Sequence, residues 1–454
     1  MKVVRDSKFR HVFGEASKAR WEDLRLSSKA TESSGIQGNS KFFAFAWDSG
    51  GGGALAVLPM SKTGRMARDM PLVTGHTGGI LDFEFNPFDE NMIMTASEDM
   101  TMKLWQIPDA GLKGHLKEPL LALEGHSKKI SFCKFNPCAN GILASASLDM
   151  TLRIWNIAEQ DQVCSIELPE QITHLKWNYN GKLLAATCKD KKLRIVDPRA
   201  SKIAAAVKIH EGVKPSKVEW LGSGSMTDEQ YKLVTTGFTS DAQRQIGVWD
   251  MRMFTDAEET PEPLNMLMLD QGTGCLYPFF DPGAQLLFVA GKGDANCRYF
   301  EADSGEPYLH FISDYRTTVP QKGFDFLPKR CVDTGKHEII RGLKLEATAV
   351  SAVSFRVPRK SDAFQEDLYP EAPSGEPSMA ADEWVGGAEC RPPAVSDMRA
   401  MTSGSGPARS TRASSIAVAS VKDLRASLAE AQAKIDALEK ENALLKAELA
   451  ELKK

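Results

Sequence analysis

An all-β, seven-bladed β-propeller is the fold this sequence predicts, and three observations predict it. Two stretches fifty residues apart, Gly75–Ile107 and Gly125–Ile157, align without a gap and share Gly-His, Asn-Pro, Ala-Ser, Asp-Met-Thr and a Trp. Each reads as short alternating strands broken by turns. Degenerate copies flank the pair on both sides, and a repeat of roughly 40–50 residues marks a ring or array built from one supersecondary unit.

Taken in order, the first unit opens with Ile80-Leu-Asp-Phe-Glu-Phe85, alternating toward a turn at Asn86-Pro87. Met92 to Ala96 is a second apolar run, Asp99 marks an acidic turn, and Met102-Lys-Leu-Trp105 is a third strand. Gly-His followed by a Trp about 30 residues later is the WD40 signature, one four-stranded blade per copy. The signature implies a buried polar network of His76, a hydroxyl from Thr95 or Ser97, Asp99 and Trp105. His126, Ser145 or Ser147, Asp149 and Trp155 repeat it. These residues look catalytic in isolation; as paired groups linking strands they read as structural. Strand clusters number seven, at 41–59, 79–107, 129–157, 172–198, 216–250, 274–301 and 321–357. Ring closure removes aggregation-prone edges, so Phe9-Arg-His-Val-Phe13 is expected as a strand pairing into the last blade. The propeller then occupies 1–357.

Composition excludes other classes. Of 454 residues, 42% are hydrophobic and 26% charged, with 60 acidic against 56 basic side chains, so collagen-like and wholly disordered readings fail. No apolar run reaches the roughly 20 residues of a membrane helix, and no apolar stretch of signal-peptide type follows the basic N-terminus. The eight cysteines show no Cys-x-x-Cys spacing, which favours free thiols in a reduced compartment over a metal site. No phosphate loop or nucleophile–base constellation appears, so neither enzyme, cofactor, metal nor nucleic acid is expected.

Beyond residue 357 the pattern changes. Residues 371–420 are rich in Ala, Ser, Pro and Gly and are expected to be a flexible linker. In 421–454, Leu424, Leu428, Ala431, Ile435, Leu438, Asn442, Leu445, Leu449 and Leu452 recur at alternating spacings of three and four. These are the core positions of a heptad. With Leu428 at a, the pairs Lys434–Glu439, Glu441–Lys446 and Glu448–Lys453 are all opposite in sign, and Asn442 falls at a. An oligomerising coiled coil is expected. Asn442 favours a parallel dimer, and the seam and flanking alanines a larger bundle.

Motifs outside the WD signatures resemble the coronins, actin-associated propeller proteins. They are Val4-Arg-Asp-Ser-Lys-Phe-Arg-His-Val-Phe-Gly14, Gly51 to Arg65, Gly237-Phe-Thr-Ser240, Arg244 to Asp250, Gly291-Lys-Gly-Asp294, Arg298-Tyr-Phe300, Pro328-Lys-Arg330 and Arg359 to Pro370. The last looks like the family's extension packing back on the propeller, at 358–370. The resemblance implies filamentous-actin binding, with bundling through the coiled coil. It also implies partnership with the branching actin-related-protein complex and cofilin, in the cytoplasm at the actin cytoskeleton and cell cortex. An actin-contacting arginine in the family follows a Tyr-Glu-Asp-Ile-like step, which Trp21-Glu-Asp-Leu-Arg25 matches; Arg5, Lys8 and Arg10 are secondary candidates. Independently of the resemblance, residues 1–30 carry eight basic side chains against four acidic ones in a chain of net charge −4. Such a patch attracts an acidic filament and weakens in salt; it also suits a phosphoinositide. A generic WD40 scaffold in trafficking or signalling is the alternative.

Overall fold

The computed structural model describes residues 6–29, 31–50, 52–222, 231–254 and 261–402. Arg5, the linker beyond residue 402 and all the heptad positions lie outside the described residues. Among the described residues, seven sheets of at least four strands form the ring, antiparallel except for one two-residue parallel pairing at the edge of the last. The strands of the N-terminal region are β1 (Phe13–Glu22), β2 (Gln37–Gly38), β3 (Phe42–Trp47), β4 (Gly53–Pro59), β5 (Gly64–Arg65) and β6 (Val73–His76). Blade 1 is β2-β3-β4-β6. Blades 2 to 6 each take four strands in chain order, starting at Ile80, Ile130, Ile172, Lys217 and Leu276, with Ala139–Asn140 set aside from the blade 3 sheet. The strand clusters read from the sequence capture the inner strands. The outermost ones, such as Asp161–Glu167 and Lys202–Lys208, alternate between exposed and half-buried and carry little apolar signal.

Blade 7 closes the ring with Gly323–Phe326, Glu338–Leu345 and Ala349–Arg356, plus β1 as the outer strand, paired from Phe13↔Arg356 to Glu22↔Ala349. The expected strand at Phe9–Phe13 is corrected: it is a turn, bonded Arg10 N–H to Ser7 and Val12 N–H to Phe9. Phe9 and Val12, three residues apart, are both buried against Phe288, Tyr299 and Phe355. A strand would put them on opposite faces. The Tyr299 hydroxyl donates to the Val12 carbonyl at 2.9 Å.

The linker expectation is also corrected for 371–402, which pack against the propeller. Tyr369, Ala372 and Met398 join the core beside blades 6 and 7. Between them the chain crosses the bottom of the ring, where Met379 and Ala380 pair in parallel with Ala139 and Asn140 of blade 3. Ala372 and Pro373 pair with Ser396 and Val395 on the way back. The far end is anchored by Trp384, fully buried, its indole N–H donating to the Gly181 carbonyl at 2.9 Å and its ring meeting Trp177 edge-on at 5.9 Å. Composition concealed this strap because a few large side chains, not an average, hold it.

All eight cysteines are free thiols, and no described helix is long and apolar enough to cross a membrane.

Candidate functional site

The WD residues form the expected networks. In blade 2 the His76 Nδ1–H donates to Asp99 at 2.8 Å, Thr95 sits 2.7 Å from Nε2, and the Trp105 indole donates to Thr95 at 2.9 Å. Blade 3 repeats it with His126–Asp149 at 2.8 Å, His126–Ser145 at 2.7 Å and Trp155–Ser145 at 2.8 Å. Burial opposes ionisation of Asp99, but donors from His76 and Thr101 outweigh it and hold the carboxyl well below the usual range. The Asp149 carboxyl is likewise held at about 2 against burial, by Thr151 and His126. Burial lowers His126 despite Asp149. Each ring donates to a carboxylate on one side and meets a hydroxyl on the other, a structural clasp with both ring nitrogens engaged.

Blade 5, a degenerate copy recognised in the sequence by its ending Val248-Trp-Asp250, holds a third network whose histidine the sequence did not reveal. His210 meets Thr235 at 2.8 Å, Trp249 donates to Thr235 at 2.8 Å, and Gln245 replaces the aspartate, its amide 2.8 Å from His210 Nδ1. The preceding glycine is absent and the His-to-Trp spacing is stretched, so only the terminal Trp-Asp signalled it.

The blade 3 clasp contributes to acid stability. Protonating buried neutral His126 favours the unfolded chain as pH falls below 6.5, and Asp149 loses its contribution between its ordinary 3.8 and about 2. Denaturation midpoints should therefore fall in two steps on acidification. Asp149→Asn should lose about 1.5–3 kcal/mol at pH 7, read by urea unfolding, and its lower step should flatten.

The candidate basic residues do not form one patch. Lys8 and Arg10 precede β1 and Arg25 follows it, about 30 Å away along a strand at roughly 3.3 Å per residue. Lys8 donates to the Asp367 carbonyl at 2.5 Å, tying it to the C-terminal strap. Arg20 is paired with Glu346, and Lys29 with Glu98 at 2.9 Å. Arg10 and Arg25 are exposed, and neither side chain bonds to a described residue. Arg25 stays outward because its backbone is fixed: Leu24 is buried, Leu26 bridges Trp47, and the Arg25 carbonyl accepts from Asp48 N–H at 3.0 Å. The short parallel pairing of β5 with Trp21 and Glu22 brings Arg65 alongside, with exposed Lys62 and Arg68 flanking it in sequence. Asp23 lies 3.8 Å from Arg65. These three basic residues were not singled out in the sequence because their pairing with β1 is non-local.

Directly after Arg25 the inner strand of blade 1 is interrupted. Leu26 faces Trp47, so Lys29 would face Ala44 in unbroken register; Gln37 does instead, an insertion of 37 − 29 = 8 residues. The inserted segment crosses the mouth of the central channel. Its Glu32 accepts from Lys217 of blade 5 at 2.5 Å and, through its carbonyl, from the Tyr277 hydroxyl of blade 6 at 3.2 Å. Gly35, at φ +85°, lets it turn back against the backbone of Lys322.

The other singled-out motifs lock blades together. Arg244 bonds Asp270 at 2.5 Å and Asp294 at 2.6 Å, joining blade 5 to blade 6. Gly272 leaves room for that guanidinium, since a Cβ there would lie 2.1 Å from its Cζ. Lys329 pairs with Asp281, and Arg330 with Glu90 of blade 2 at 2.8 Å. Their charge is spent internally.

A closed ring of seven blades with His–hydroxyl–Trp clasps defines a WD40 β-propeller. Residues 70–106 match the WD domain, G-beta repeat, and residues 350–392 a type of WD40 repeat. Residues 117–223 match the anaphase-promoting complex subunit 4 WD40 domain. Residues 2–65, which hold Arg25 and end at Arg65, match a domain of unknown function, DUF1899. A chain of the mitotic checkpoint complex shares the fold alone, at TM-score 0.54 and 13% identity over 79% of this chain and 98% of that one. Coronin-A of Dictyostelium discoideum is 45% identical over 398 residues, covering 87% of this chain and 86% of that protein. The WD40 domain of Toxoplasma gondii coronin superposes at TM-score 0.80 with 39% identity, over 86% of this chain and 97% of that one. The chain belongs to the coronin family.

Proposed function

We propose that this coronin binds filamentous actin through the rim of blades 7 and 1 centred on Arg25, and that it crosslinks filaments by self-association through residues 421–454. The observation that carries the reading is Arg25 itself: exposed, held by a bonded backbone, its side chain bonded to no described residue, and three residues beyond the pairing of Glu22 with Arg65. An acidic partner gains charge-assisted contacts there without breaking internal pairs. Engagement of the branching actin-related-protein complex and cofilin belongs to the same proposal, at the cytoplasmic actin cortex. Nothing in the WD clasps offers chemistry, so the role proposed is non-catalytic. Cosedimentation with actin filaments tests the reading, with Arg25→Asp as the decisive variant.

Joining two weak heads makes the second contact intramolecular and raises avidity by about 10²–10⁴-fold when geometry allows. A chain ending at residue 402 should be a monomer that pellets with filaments only weakly and does not bundle them. Sedimentation velocity and low-speed pelleting check this, and an oligomeric truncated form would refute the assembly. The cut belongs at 402, because ending at 370 also deletes Trp384 and the strap.

A further inference from the structure

The insertion in blade 1 has a second consequence. Where the inner strands of blades 2 to 4 run unbroken for six residues, blade 1 leaves part of that space unfilled beneath the inserted segment. The result is a cavity of about 490 Å³. Its floor is apolar, with Leu26, Ile80, Phe83 and Leu345. Its polar lining is Lys292, Lys322 and the Glu98-paired Lys29, with the hydroxyls of Ser27, Ser28, Thr31 and Ser33, and no carboxylate among the described residues lines it.

The charge is unbalanced in a specific place. The Lys217 and Lys292 ammonium groups lie 5.1 and 5.2 Å from the same Tyr277 ring. Among the described residues one carboxylate, Glu32, bonds to this pair, and it bonds to Lys217. Lys292 is left with the carbonyl and hydroxyl of Thr31, at 3.2 and 3.5 Å. Burial and the neighbouring Lys217 push the Lys292 ammonium down to about 8. Lys322 is exposed at the rim. At the other end of the same inner strands the cavity facing the strap carries Glu84 and Asp325, both pushed up to about 7 by burial. That cavity mixes the two signs, since Lys176 and Arg330 line it with Glu84, Glu219 and Asp325, whereas lysines alone supply the charged lining at the Lys292 end.

A cavity of this size with an apolar floor and a few convergent polar groups suits a small organic ligand. Two ammonium groups and hydroxyl donors suit a phosphate. We infer that the cavity between Lys292 and Lys322 binds a phosphomonoester with an apolar body. This goes beyond filament binding and does not depend on it.

The test is calorimetric titration of the full chain at low salt with inorganic phosphate, AMP and adenosine. Vesicles of phosphatidylcholine with and without phosphatidic acid form a further arm. AMP should bind more tightly than phosphate, and adenosine not measurably. Lys322→Met, at an exposed position that leaves packing intact, should weaken AMP about tenfold. Lys292→Met with Lys322→Met should abolish binding, and Lys202→Met on blade 4 should change nothing. Soluble AMP binding without vesicle binding identifies a free metabolite. Vesicle binding that needs phosphatidic acid and Lys322 identifies a headgroup; either supports the site. Failure of phosphate, AMP and phosphatidic acid vesicles alike, or equal binding by wild type and Lys322→Met, overturns it.

Discussion

Arg25→Asp is expected to remove most filament binding while leaving the propeller intact. The side chain is exposed and bonded to no described residue, so no internal contact is lost when it changes. Leu24 beneath it stays buried, and the backbone bridge to Trp47 is indifferent to the side chain. At a partner surface the change is larger than truncation, because a desolvated attraction becomes a repulsion. Truncating a central charged anchor typically costs 2 kcal/mol or more, and about 1.4 kcal/mol is tenfold in affinity. The dissociation constant in cosedimentation should rise by roughly 30-fold or more, with unchanged thermal unfolding. Raising salt should weaken the wild type toward the variant, because exposed attraction is screened over about 8–10 Å. Lys8→Ala should do little at the filament, since Lys8 is occupied by Asp367 about 30 Å away along β1. Equal pelleting by wild type and Arg25→Asp would refute the site, and no pelleting by either would refute the function.

How much of this was legible depended on whether the signal was local. The clasps in blades 2 and 3 were, because His, hydroxyl, Asp and Trp recur at fixed offsets within one blade. The blade 5 copy was largely hidden, since Gln245 can stand in for the aspartate as a partner to His210 once the ring accepts at Nδ1 instead of donating. The charge of the N-terminal thirty residues was read correctly as a sum and wrongly as a single patch. β1 carries its two ends to different sides of the ring, and Glu346, Glu98 and the Asp367 carbonyl occupy three of the cations. Arg65 could not be assigned to the end of β1 that leads to Arg25, because that placement comes from a two-residue parallel pairing with Trp21 and Glu22 across all of blade 1's inner chain. The insertion after Ser27 was similarly invisible. Its register shift is defined only by where β3 pairs, and a Ser- and Thr-rich segment looks the same in a surface loop as across a channel.

The strap was misread for a different reason, and its anchor gives the largest expected change in stability. Trp384→Ala removes a fully buried indole, and large aromatic-to-alanine substitutions in cores lose about 3–5 kcal/mol. Three partners lose a contact together: the Gly181 carbonyl, which keeps only its bond from the Asn136 amide, the edge of Trp177, and Arg199, whose guanidinium stacks 5.8 Å from the Trp384 ring while donating to Ala388 at 2.6 Å. Because the strap meets blades 3 and 4 only at its far end, the loss should be felt first as local release. Residues 374–394 should become susceptible to protease while the pairing of Ala372 with Ser396 and the burial of Met398 hold the near end. Trp384→Phe separates packing from the hydrogen bond: it keeps an aromatic face against Trp177 and loses the N–H, and because the Gly181 carbonyl still accepts from the Asn136 amide at 2.8 Å the missing bond should cost only about 0.5–1.5 kcal/mol. Urea unfolding and limited proteolysis read the two effects independently. If the alanine variant unfolds at the wild-type midpoint and resists protease like the wild type, the strap does not hold the ring through Trp384. Ending the chain at residue 370 would then leave blades 3 and 4 as stable as ending it at 402, whereas the packing of Trp384 against Trp177 predicts that only the longer form keeps their full stability.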